Sequence, residues 1–213
     1  MIHVVLTGSV RIGKTTICQE VIELVRKRGY CVAGILTPAI LDRNGDRRGI
    51  EVADLTTGER RVLARVAPRK DESGASSGQA WANPGSGSPL AVHKRAAPKL
   101  GGGSSGPQVG DYQFDSTALQ WGQDAVARSI AVGCDLLIVD EIGRLELEQN
   151  GGFSQVLDLL ETSVVQRSLL VVRTELLDKF RRRLPEVQFI TFEATDANRR
   201  HLASQIINKL FLS

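Results

Sequence analysis

The chain reads as an α/β protein, with a mostly parallel central sheet between layers of helices and a small antiparallel meander at one side. Three observations predict this. Short apolar, β-branched runs at residues 2–6, 136–139, 169–172 and 187–192 have the near-continuous hydrophobicity of parallel strands buried on both faces. They alternate with stretches of helical period, and strands alternating with helices imply right-handed parallel crossovers. Between the first strand and the first helix stands Gly8-Ser9-Val10-Arg11-Ile12-Gly13-Lys14-Thr15.

That string is a glycine, four residues, then Gly-Lys-Thr, the phosphate-loop (Walker A) pattern, in the strand-loop-helix context the pattern requires. Phosphate oxygens must be met by several backbone N–H groups at close range, so such a loop curls into an anion-binding nest. Gly8 and Gly13 allow the backbone angles and the close approach. Ser9, Val10, Arg11 and Ile12 complete the loop, and Thr16 continues it into the helix. Lys14 is placed to meet the β- and γ-phosphates, and the Thr15 hydroxyl to ligate Mg²⁺. The helix N-terminus adds roughly half a positive charge.

The first helix shows Ile17, Val21, Leu24 and Val25 on one face and should end near Lys27-Arg28, with Gly29 as its cap. Residues 30–36 read as a strand. Asn44-Gly45 marks a hairpin, since both positions tolerate positive φ, and Thr56-Thr57-Gly58-Glu59 marks a second turn. Together they predict the meander. Residues 68–107 are rich in Gly, Ser, Ala and Pro, with almost no apolar periodicity, and read as a disordered insertion within a single domain spanning residues 1–213. A short strand at 109–114 follows, then a helix capped by Ser116 and containing Leu119, Val126 and Ile130. After the strand at 136–139 come a helix over 153–164, the strand at 169–172, and a helix that Thr174 could cap, ending before Pro185. The strand at 187–192 leads to a terminal helix starting at Thr195 or Asp196.

The run Leu136-Leu137-Ile138-Val139 ends abruptly in Asp140-Glu141. Carboxylates are costly to bury, so two acids after such a run need a reason. At the carboxyl edge of a parallel sheet they converge with the glycine loop. Asp140 is then the metal-site (Walker B) acid, and Glu141 the group that polarises an attacking water.

Composition narrows the setting. An apolar fraction of 42% suits a proper core, and a net charge of +3 with pI near 8.9 is too mild to imply nucleic acid. Arg181-Arg182-Arg183 reads as a solvated helix face. The three cysteines, Cys18, Cys31 and Cys134, lack metal-ligand spacing and read as reduced thiols. The N-terminus runs straight into the first strand, and no apolar run approaches the roughly 20 residues needed to span a bilayer. The expectation is a cytoplasmic monomer, with a nuclear setting also open and no membrane partner.

Several pieces resemble the THEP1-like, or cancer-related, nucleoside-triphosphatases. They are the loop from Thr7 to Thr16, Gly34-Ile35-Leu36-Thr37 followed by a hairpin with Arg48-Gly49, and Asp54-Leu55-Thr56-Thr57-Gly58. Val109-Gly110-Asp111-Tyr112, Asp140-Glu141-Ile142-Gly143-Arg144-Leu145-Glu146-Leu147, and Thr195 with Asn198-Arg199 complete the series. The resemblance implies a three-layer P-loop NTPase fold and Mg²⁺-dependent hydrolysis of ATP, GTP and other nucleoside triphosphates, with loose base selectivity. Two stretches depart from the family: Val10-Arg11-Ile12 is bulkier than usual, and Pro38-Ala39-Ile40 stands where an acid and an arginine are common.

The leading reading is therefore an NTP hydrolase with Lys14 and Glu141 as catalytic groups and Thr15 and Asp140 at the metal. Arg144, Asn198 and Arg199 are candidates for transition-state or base contacts; Glu146 is a weaker candidate for the catalytic machinery, with a salt bridge or helix cap as the alternative reading. A nucleotide or small-molecule kinase shares the loop and the sheet, but no acceptor-binding arginine set stands out, and Glu141 suits water. An accessory ATPase that times a protein partner is the third reading.

Overall fold

In the computed structural model, residues 1–67, 105–162 and 164–212 are described, Ser105 by its backbone alone. Among them runs a ten-stranded mixed sheet in the order β10-β1-β9-β8-β2-β4-β5-β7-β6, with β3 paired to β4 off that path. The parallel half consists of β1 (Ile2–Gly8), β2 (Val32–Leu36), β8 (Leu136–Ile142), β9 (Arg167–Val172) and β10 (Phe189–Ala194). Side chains alternate across a strand, and β1, β2, β8 and β9 are buried on both sides because each side meets helices, whereas β10, at the sheet edge, is partly exposed. Val4, Leu6, Leu136, Ile138, Leu169 and Val171 pack with α1 (Lys14–Lys27) and α6 (Arg199–Phe211). Their neighbours Val5, Leu137, Val139, Leu170 and Val172 point the other way. There they meet α2 (Ser116–Val132), α4 (Gln155–Leu160) and α5 (Leu177–Arg183), with Trp121, Leu157 and Phe180 in the cluster. Two cores on one sheet make the three layers.

The meander is present. β3 (Ala39–Leu41) and β4 (Arg47–Asp54) close around Gly45 at φ 83°, where the Asp42 carboxylate accepts from the Asn44 and Asp46 N–H groups at 2.9 Å each. β4 returns antiparallel to β2, and β5 (Arg60–Val66) follows the predicted turn at Gly58. Close approach decides one position: at Gly34, φ +109°, a Cβ would lie 2.0 Å from the Ile138 carbonyl oxygen of β8.

Several boundaries differ from expectation. The strand expected at 109–114 is a hairpin, β6 (Ser105–Val109) and β7 (Tyr112–Asp115), turning at Gly110, φ 58°. Ser105, Gly106 and Pro107 thus belong to a strand rather than to the insertion. Pro107 is tolerated because β6 is the last strand of the sheet. The rest of the predicted insertion, 68–104, lies outside the described residues. Asp115, not Ser116, caps α2, accepting from the Ala118 N–H at 2.9 Å. The helix expected over 153–164 is only α4, the terminal strand sits two residues later than predicted, and α6 starts at Arg199. Among the described residues no helix is long and apolar enough to cross a membrane.

Candidate active site

Sheet order positions the site. The glycine loop leaves β1, the acids end β8, and β9 lies between them, so three carboxyl ends stand side by side. On the far side of β1, Gly8 is in register with Ala194 of β10, and a Cβ on Gly8 would come within 2.7 Å of the Ala194 carbonyl oxygen. Gly13 precedes α1 at φ 101° with open space around it. Ser9, Val10, Arg11 and Thr16 are exposed, while Ile12 tucks into the core beneath the loop. Arg11 is left-handed at φ 66° and makes no ion pair among the described residues.

Lys14 folds back over the loop and donates from Nζ to the Gly8 and Ser9 carbonyl oxygens, both at 2.8 Å. Burial holds its ammonium below the ordinary pKa, against the pull of the neighbouring Glu141 and Asp140. Its charge is thus presented inside the loop without a carboxylate clamped on it.

Asp140 is 2% exposed. Burial raises its carboxyl to about 7, against hydrogen bonds from the Thr15 hydroxyl and the Thr37 backbone N–H. Oδ2 is buried and has no hydrogen-bond partner. A buried carboxylate oxygen left without a donor is a site for a cation, and the hydroxyl of Thr15 beside it supplies a second hard oxygen. These donors fit Mg²⁺, which takes one or two protein oxygens and completes its shell with substrate oxygens and water.

Glu141 is half-buried and is held by a residue that sequence reasoning missed. Arg173, immediately after β9, donates to Glu141 Oε1 from Nε at 2.8 Å and from a terminal nitrogen at 2.5 Å. Oε2 makes no hydrogen bond among the described residues. Burial lowers the Arg173 pKa, but the Glu141 charge and hydrogen bonds outweigh this and leave it above its ordinary value. Thr174 next door shares a 3.2 Å hydrogen bond with Thr7, just before the glycine loop. A signal was available: an arginine directly after an apolar strand stands at the same sheet edge as Asp140-Glu141.

The other candidates have partners outside the loop and the Asp140-Glu141 pair, or none among the described residues. Arg144 opens α3 (Arg144–Glu148), exposed and without an ion pair among the described residues. Glu146 is a cap, not a catalytic acid: its carboxylate accepts from the Gly143 N–H at 2.8 Å and the Phe153 N–H at 3.1 Å. Asn198 uses its amide on the backbone, accepting from the Thr195 N–H at 2.8 Å and donating to the Glu193 carbonyl oxygen at 2.9 Å. Arg199 lies 3.8 Å from Asp196.

The sheet order, the glycine loop and the acidic strand end together are those of a P-loop NTPase fold. The chain matches the NTPase family over residues 3–207 and belongs to it. It is 31% identical over 212 residues to the nucleoside-triphosphatase THEP1 of Methanopyrus kandleri, covering 96% of this chain and 93% of that one. To the THEP1 of Methanosarcina acetivorans it is 27% identical, with 98% and 97% covered. Two solved structures share the fold. They are a human cancer-related nucleoside triphosphatase (TM-score 0.65, 23% identity, 100% and 99% covered) and THEP1 from Aquifex aeolicus (TM-score 0.62, 18% identity, 99% and 99% covered).

Proposed function

We propose that the chain hydrolyses nucleoside triphosphates, ATP and GTP among them, to diphosphate and phosphate with Mg²⁺. The observation that carries this reading is the unpartnered, buried Oδ2 of Asp140 beside Thr15 and Lys14, with Glu141 next along the strand. The names of the relatives point the same way. Thr15 and Asp140 would hold the metal, which when bound neutralises charge on the β- and γ-phosphate oxygens. The loop N–H groups from Gly8 to Thr16 and the α1 N-terminus bind the phosphates. Lys14 exchanges its carbonyl partners for phosphate oxygens. A water oxygen bonds to the γ-phosphorus as the bond to the β–γ bridging oxygen breaks. Glu141 accepts the water proton, and Lys14 meets the charge on the leaving diphosphate. Arg144 and Arg199 are the outlying cations available to the transition state. Loose base selectivity is in keeping with Asn198, whose amide is already engaged with the backbone. Three free thiols suit a reducing, cytoplasmic setting.

The test follows both products of γ-labelled ATP with Mg²⁺, with and without a panel of nucleosides and small metabolites. Free phosphate released without an acceptor and abolished by Lys14→Ala is expected. Glu141→Gln should keep nucleotide binding and lose about 10²–10⁴ in turnover. Label that appears only on an acceptor would make the protein a kinase instead.

A further inference from the structure

The Arg173–Glu141 pair poses a problem for the site as described. Two guanidinium N–H groups occupy Glu141 Oε1, so the carboxylate is held toward Arg173 rather than free to align a water. Yet the pair is not walled in, with side chains 33% and 28% exposed. It lies at the edge where Lys14, Asp140 and the glycine loop meet, and the charges of both Arg173 and Glu141 are felt at Lys14. A γ-phosphate arriving there brings a second anion within reach of the same guanidinium. Arginine forks match phosphate oxygens at least as well as carboxylate oxygens.

Resting on the hydrolase reading, we propose that Arg173 is a phosphate-operated latch. Without a triphosphate it holds Glu141 by Oε1. When the γ-phosphate enters, the guanidinium transfers to a γ-phosphate oxygen, and Glu141 is released to take the water proton. The same arginine that restrains the base in the empty site then meets the charge of the transition state. The latch also separates triphosphate from diphosphate, since a diphosphate has no γ-oxygen to draw Arg173 away. Its place at the end of β9, between the strand of the glycine loop and the strand of the acids, is what lets one side chain serve both.

The experiment measures binding, so that it does not depend on turnover. Dissociation constants for ATP and ADP with Mg²⁺ are compared in the wild type, Glu141→Gln, Arg173→Gln, Arg173→Lys and the double variant Glu141→Gln/Arg173→Gln. Glu141→Gln frees the arginine and should tighten ATP by several-fold while leaving ADP unchanged. Adding Arg173→Gln in that background should then cut the ATP-over-ADP preference by about tenfold or more, the effect of losing one charge-assisted hydrogen bond. Arg173→Lys, which keeps the cation but not the fork, should fall between. If Arg173 only positions Glu141, its removal in the Glu141→Gln background will leave the preference unchanged, and that result overturns the latch. Failure of the hydrolase reading would look different: γ-label appearing only on an acceptor, or phosphate release that survives Lys14→Ala, whatever the affinities.

Discussion

Two glycines of positive φ, Gly34 and Gly13, allow fold and function to be perturbed separately. At Gly34, alanine brings a Cβ to 2.0 Å from the Ile138 carbonyl oxygen, a backbone atom of the paired strand β8. Nothing flexible can move aside. The residue is also fastened on both sides, its N–H donating to Ser129 Oγ at 3.2 Å and its carbonyl accepting from Leu55 N–H at 2.9 Å. Left-handed strain costs about 1–2 kcal/mol for a residue with a Cβ, and overpacking about 1–3 kcal/mol more. Gly34→Ala should therefore lose about 2–5 kcal/mol, a fall of about 4–20 °C in Tm for a chain of this size. At Gly13, φ +101°, the same Cβ meets nothing within 4 Å, so only the strain remains, about 1–2 kcal/mol. Gly13→Ala, however, alters the mouth of the phosphate nest. Urea denaturation and Mg-ATP titration of both variants should cross over: Gly34→Ala the less stable, Gly13→Ala the weaker binder. Equal stability losses, or an unharmed Gly34→Ala, would refute the argument that the β2–β8 contact is what requires glycine.

Asp140→Asn should make the metal-free, nucleotide-free protein more stable at pH 8, although it loses Mg-dependent nucleotide binding. The wild-type group titrates at about 7 when folded against 3.8 otherwise, so stability falls between those values as pH rises. Denaturation in EDTA at pH 5 and pH 8 should show that fall flattened in the variant. Glu146→Ala leaves the Gly143 and Phe153 N–H groups buried without an acceptor and should cost about 2–4 kcal/mol in urea denaturation; Glu146→Gln should recover only part of this, because its single amide oxygen replaces one of the two accepting oxygens and its NH2 faces the other N–H. His3, whose Nε2 is buried and unpartnered, has its pKa lowered by burial first and by the N-terminal charge second. The unfolded chain therefore takes up the proton first, and stability should drop as pH falls below 6.5, less so in His3→Gln, as thermal melts across pH 5–8 will show.

How much of this was legible in the sequence depends on how far apart the cooperating groups lie along the chain. The phosphate loop was readable because its chemistry is contiguous: Gly8 to Thr15 must curl around one anion, and each residue type answers to a neighbour. Asp140-Glu141 was readable because an apolar run broken by two acids states its own anomaly. Asn44-Gly45 was readable because a tight turn is a local event. Where polar side chains compete for the backbone, the boundaries moved. Asn198 bridges Glu193 and Thr195, and that local bonding delays the start of α6. The frame of β10 is set by its pairing with β1, down to Gly8 opposite Ala194. Arg173 was missed for a different reason. Its partner lies 32 residues away, and the two meet only because β9 is inserted between β1 and β8. Strand order is a global property that no local pattern states. The groups proposed to bind phosphate can sit in one short loop because the anion is small. The group proposed to answer to the γ-phosphate has to reach both that loop and Glu141, and the strand between them places it there.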